Sequence, residues 1–186
     1  MSWQLILEKN HFERPFLSLY EEIVSTPSCP KGIHWYVVRR PQAVAIAPRT
    51  RKGNFLLIRQ ERVSIRREIW EFPAGQVDDV HDEGGLLETV HRELAEEAGV
   101  ETYRPLVSLG CFFSSPGFTS EQCHLFLAEE VQPRPDGPTP EATEAILECR
   151  EFSASELCYM IASGEIVDAN TLAIFARLVA CGTIRS

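Results

Sequence analysis

No run of about 18 apolar residues occurs in the chain, so no membrane-spanning helix is expected. The opening Met1-Ser2-Trp3-Gln4 has no basic segment followed by an apolar core. A secretory signal is therefore not expected, and a cytoplasmic location is. Cys29, Cys111, Cys123, Cys149, Cys158 and Cys181 include no CxxC pair, which in that compartment favours reduced thiols over disulfides. The histidines show no zinc-ligand spacing, and no internal repeat is visible. Basic charge is scarce: 18 Lys and Arg face 27 Asp and Glu, a net charge of −9. That balance argues against a nucleic-acid backbone as partner. An anionic small molecule would then need a local basic pocket or a bound metal.

What remains is an ordinary globular composition, 44% hydrophobic and 24% charged over 186 residues. This is enough for one domain with a core, plus a small extra sheet. Residues 1–40 alternate and are rich in aromatics: Trp3, Leu5 and Leu7, then 16–24, then 34–39. They read as strands, with a turn over 25–32. A meander this short cannot bury both faces alone, so it must pack on the main domain or on a second chain. The expected division is a β-strand region at 1–40 and a main domain at 41–186.

In the main domain, residues 43–47, 55–58, 69–72, 106–113, 122–128 and 146–152 read as strands. A polar turn is expected at 49–53, and irregular loops at 114–121 and 132–140. Ser153-Ala154-Ser155-Glu156 has the spacing of a capping box and opens a helix to 163, stopped by Gly164. A last amphipathic helix runs over 171–180. Strands flanking a central helix, with a helix after the last strand, suggest a mixed α/β sandwich rather than a strict βαβ array.

That central helix carries the unusual chemistry. Leu87, Val90, Leu94 and Ala98 recur at helical spacing. Gly99 stands where a helix end favours positive φ. Glu93 and Glu97 lie one turn apart, with Glu96 bordering them, on an edge expected to run beside the apolar stripe. His91 is expected on the buried side. Like charges at i,i+4 cost about 0.2–0.5 kcal/mol per pair, and acids near a helix C-terminus oppose the macrodipole. A hard divalent cation reverses that penalty, and Arg92 can hold one acid in place. An isolated Glu-Glu pair is most often a solvated face; the flanking residues change that weighting here.

Arg92-Glu93-Leu94-Ala95-Glu96-Glu97-Ala98-Gly99-Val100, with Gly75 upstream, resembles the Nudix hydrolase signature. The interval from Gly75 to Arg92 is three residues longer than the usual spacing, and Gly84 stands where the signature has its first glutamate. We read an insertion around 80–84. Gln60-Glu61-Arg62, Trp70-Glu71-Phe72-Pro73-Ala74-Gly75 and Ser115-Pro116-Gly117-Phe118-Thr119-Ser120-Glu121 resemble the ADP-ribose pyrophosphatases among those hydrolases. The likeness spans about residues 35–180.

The resemblance implies an α/β/α sandwich (α+β by composition) with a mixed sheet, plus a small N-terminal antiparallel sheet. It implies Mg²⁺, with Mn²⁺ as substitute, held by Glu93, Glu97 and the Ala74 carbonyl, with Glu96 as a further ligand. Glu144 is the implied catalytic base, acting with Glu93 and Glu97, and Glu141 is its rival. Arg62 is implied to contact substrate phosphate, with Trp35 and Phe118 against the base. The implied reaction is cleavage of ADP-ribose, or a related nucleoside diphosphate sugar, to AMP and ribose 5-phosphate by a homodimer. The alternatives are another nucleotide-sugar or dinucleotide pyrophosphatase, or a non-catalytic nucleotide sensor.

Overall fold

The structure is a computed structural model that describes residues 2–77, 83–142 and 144–184. Positions 80–82 of the insertion lie outside the described residues. The chain divides into two compact units, Met1–Gln42 with Phe113–Gln122, and Ala43–Phe112 with Cys123–Ser186.

In the first unit, β1 (Gln4–Arg14), β2 (Leu17–Thr26) and β3 (Cys29–Arg39) form an antiparallel sheet in that order. The turn expected over 25–32 is tighter than that, because Thr26 pairs directly with Cys29. The Thr26 hydroxyl accepts from the Cys29 amide at 3.1 Å. Pro30 and Gly32 then fall inside an edge strand, where a missing N–H is tolerated. Segment 113–122 joins this unit: the Val38 amide donates to the Phe118 carbonyl at 2.8 Å.

The second unit holds β4 (Ala43–Thr50), β5 (Phe55–Arg62), β6 (Arg67–Glu71), β7 (Ala74–Gln76), β8 (Val100–Glu101), β9 (Val107–Phe113), β10 (Gln122–Pro133) and β11 (Ile146–Phe152). Among the described residues these make one mixed sheet, ordered β11-β5-β4-β10-β8, with β6 on β5, β7 on β4 and β9 on β10. β4 and β10 run parallel, as in Ala45 opposite Leu125, while β5, β7 and β8 join antiparallel. The helices are α1 (Glu83–Glu96), α2 (Ala154–Ala162) and α3 (Ala169–Ala180), and none is long and apolar enough to cross a membrane.

Strand alternation divides the core between two layers. Ala45 and Ala47 of β4, with Cys123, Leu125 and Leu127 of β10, pack with Leu157, Ile174 and Leu178 of α2 and α3. Val44, Ile46, Phe126 and Ala128, pointing the other way, pack with Leu86, Val90 and Leu94 of α1. The central strands are thus apolar on both faces, and the sheet lies between α1 and the α2/α3 pair.

The helix boundaries follow local chemistry. Ser153 and Glu156 form the expected reciprocal capping box on α2. Asp168 caps α3 two residues earlier than the sequence suggested, accepting from the Thr171 amide at 2.8 Å. Gly99 ends α1 with φ of +63°, and a Cβ there would lie 2.6 Å from the Pro138 nitrogen. Only glycine meets both conditions.

Candidate functional site

The site is assembled where α1 docks on β7. Proline at 73 cannot donate into a ladder, but its carbonyl accepts from the Ile46 amide at 2.9 Å. The Phe72 amide donates to the Thr171 hydroxyl at 2.9 Å. Residues 74–76 then add a short strand to β4, pairing Ala45 with Ala74 and Val44 with Gly75. Strand pairing forms here because backbone groups of β4 would otherwise go unsatisfied.

α1 contributes the acids. Its buried face runs through Leu86, Val90, Glu93, Leu94 and Glu97, so the acids sit within that face rather than beside it. Glu93 and Glu97 are 2% and 1% exposed. His91, expected inside, is exposed instead, because the stripe centres on residues 86, 90, 94 and 97 and turns residue 91 outward.

Each acid has a specific seat. Ala74 donates its amide to Glu97 Oε2 at 2.8 Å. Gly75 leaves room for Glu93: a Cβ there would lie 1.7 Å from Glu93 Oε1. Arg92 bonds Glu93 Oε1 at 2.8 Å, Glu96 Oε2 at 3.0 Å and the Gln76 carbonyl at 3.2 Å. That fork ties α1 to β7. Glu144 is half-buried; its Oε2 accepts the Glu141 amide at 2.9 Å, and its own amide donates to the Glu141 carbonyl at 2.9 Å.

Glu93, Glu97 and Glu144 each bring a carboxylate oxygen within 4.8 Å of the others. Burial pushes Glu93 up to about 7; Arg92 opposes this, and Glu144, Glu96 and Glu141 add to it. Burial pushes Glu97 up to about 9; the Ala74 amide opposes this, and Glu93 and Glu144 add to it. Glu93 Oε2 is buried with no hydrogen-bond partner. An orphaned carboxylate oxygen costs more than about 1–3 kcal/mol. An all-oxygen donor set of this kind suits a hard divalent ion, so the residues present fit Mg²⁺ or Mn²⁺.

The other expected residues are placed as follows. Glu96 is outside the three-acid cluster and pairs with Arg92. Ala74 reaches the cluster through its amide. Arg62 forms a two-pronged pair with Glu71, at 2.8 Å from Nε and 2.5 Å from Nη2. Glu141 is exposed. Trp35 and Phe118 belong to the first unit, where the Trp35 indole donates to the Gly117 carbonyl at 3.1 Å and stacks edge-on with Trp3. Sequence reasoning passed over Glu71, which is 2% exposed. A lone acid in an aromatic strand carries no spacing signal; the register sets it opposite Ile58, and only the side-chain bonds reveal Arg62 as its partner.

Comparison with known proteins identifies the family. The NUDIX domain model matches residues 39–173. The chain is 31% identical over 166 residues to an ADP-ribose pyrophosphatase of Bacillus subtilis, covering 89% of this chain and 86% of that one. It is 34% identical to an ADP-ribose pyrophosphatase of Mycobacterium tuberculosis, covering 74% of this chain and 64% of that one. A methanol dehydrogenase activator of Bacillus methanolicus is 29% identical, covering 73% and 71%. The solved structure of an ADP compounds hydrolase shares the fold, with a TM-score of 0.78 at 16% identity over 99% of this chain and 98% of that one. By the domain it carries and the relatives it matches, the chain belongs to the Nudix family and is a Nudix hydrolase.

Proposed function

We propose that this protein hydrolyses the diphosphate bond of ADP-ribose to AMP and ribose 5-phosphate, using Mg²⁺ or, in its place, Mn²⁺. One observation carries the reading: a buried, partnerless oxygen of Glu93 beside the carboxylates of Glu97 and Glu144. The similarity to two ADP-ribose pyrophosphatases supports the substrate.

Glu93 and Glu97 would hold the metal, with the Ala74 carbonyl and Glu96 as further ligands. When bound, the metal neutralises diphosphate charge and acidifies water. Glu144 takes the proton of the attacking water. A new P–O bond forms as the bridging P–O bond breaks, and the departing phosphate keeps the electron pair. Arg62 would steady a substrate phosphate, and Trp35 and Phe118 would contact the base.

A homodimer through the first unit fits its surface. β1 is exposed along its whole length, and Trp3, Leu5, Ile6, Leu7 and Phe16 are 50–64% exposed. A second copy would cover these side chains. The expected setting is cytoplasmic, and all six cysteines are free thiols.

The test is kcat/KM with Mg²⁺ across ADP-ribose, ADP-glucose, UDP-glucose, NADH and diadenosine polyphosphates. ADP-ribose is expected to lead. A higher value for another member reassigns the substrate, and binding without turnover across the panel favours a nucleotide sensor.

A further inference from the structure

Arg62 and Glu71 are an unequal pair. The Glu71 carboxylate is 2% exposed, while the Arg62 side chain is 38% exposed. One partner is fixed in the sheet; the other reaches the surface. Both oxygens of Glu71 are taken by the Nε and Nη2 edge of the guanidinium. That planar fork leaves Nη1 and the second Nη2 proton outside the pair.

The surroundings explain why the grip matters. Arg62 also feels Glu97 and Asp168, and Glu97 in turn feels Arg62. Among these acids, the hydrogen bonds from Arg62 go to Glu71. A buried ion pair contributes little to stability compared with apolar side chains of the same volume. Stability alone is thus a poor reason to keep an acid at position 71. Burial does push the Glu71 carboxyl upward, and Arg62 holds it down.

We propose that Glu71 is a positioning residue: by clamping the Nε–Nη2 edge of Arg62, it presents the remaining donors to a phosphate of the bound diphosphate. This rests on reading Arg62 as a phosphate contact. The strand that carries Glu71 is itself anchored at its end, where the Phe72 amide donates to the Thr171 hydroxyl of α3.

The experiment is a double-mutant cycle with Arg62→Met, Glu71→Gln and the pair, reading KM and kcat for ADP-ribose with Mg²⁺, and the melting temperature. Loss of a charged hydrogen bond to phosphate predicts a KM rise of about tenfold or more for Arg62→Met. Glu71→Gln is expected to raise KM at least threefold, as loss of uniform binding does, with kcat and melting temperature little changed. The double variant is expected to be no worse than Arg62→Met alone, since both act on one contact. If Glu71→Gln does not fold, Glu71→Asp keeps the charge but retracts it by one methylene, and is expected to raise KM in the same way. An unchanged KM in Arg62→Met overturns the phosphate reading, and so does an absence of wild-type turnover. A raised KM in Arg62→Met with an unchanged KM in the position-71 variant, or independent effects that multiply, overturns the clamp alone.

Discussion

Gly75 and Glu93 occupy one another's space: a Cβ at position 75 would fall 1.7 Å from Glu93 Oε1 and 2.1 Å from its carboxyl carbon. The glycine is there because an acid from α1 lies directly over the β7 backbone. Gly75→Ala should therefore leave β7 paired and push the Glu93 carboxylate out of the cluster. A displacement of about 1 Å at a reacting centre costs about 10²-fold in rate. We expect kcat/KM to fall by that much with a weakened Mg²⁺ midpoint. Wild-type metal dependence in this variant would show that Glu93 does not serve the metal.

Glu97→Gln keeps a side-chain oxygen to accept the Ala74 amide and removes a buried carboxyl whose ionisation burial opposes. The fold should survive, with metal-free melting equal to or above wild type, and turnover should be abolished. Circular dichroism and a product assay on one preparation check both halves. Unchanged turnover would refute the metal assignment.

Glu144 and Glu141 can be separated by paired substitution. Loss of a general base costs about 10²–10⁴-fold, so Glu144→Gln should lose that much in kcat. Glu141→Gln should lose far less, since its backbone rather than its side chain holds Glu144. The reverse ranking would move the base to 141.

The buried acids also set a pH dependence. Burial holds Glu93 at about 7 and Glu97 at about 9, both above the unfolded carboxylate value of about 4.3. Between those limits the folded chain binds more protons than the unfolded one. Its contribution to stability is fully present below pH 4 and is lost as pH rises toward 9. A cation replaces those protons, so its binding strengthens with pH. The metal-free melting temperature should fall from pH 6 to pH 9, and Mg²⁺ should raise it more at pH 9. Glu97→Gln should flatten both trends. An equal Mg²⁺ effect at the two pH values would contradict this.

Gly99→Ala tests the end of α1. Its φ of +63° and the Pro138 nitrogen 2.6 Å from a Cβ predict a loss of about 1–3 kcal/mol from backbone strain, before any overpacking. Urea unfolding should show a lower midpoint at unchanged slope.

The parts of the fold legible in sequence were those with short-range signals. The capping box at Ser153, the stop at Gly99 and the apolar run of β4 each rest on neighbours within a few residues. The acid pair at 93 and 97 was legible for the same reason. Its burial was not, because charge argued for a solvent edge, and only packing against β4 and β7 reveals the cost that the chain accepts there. β7 was hidden because three residues carry no periodicity. Glu71 was hidden because its meaning depends on Arg62, nine residues away across a hairpin. Asp168 shows a milder case: the cap was present, but its helix begins two residues sooner than apolar spacing alone indicated.

The central claim is that Glu93 and Glu97 hold a divalent ion against the diphosphate. Its most direct test is a crystal structure with Mg²⁺ and a non-hydrolysable ADP-ribose analogue. The account predicts metal density bonded to oxygens of both glutamates and to a phosphate oxygen of the analogue. An analogue bound with its diphosphate away from these acids, or a metal held without them, would contradict it.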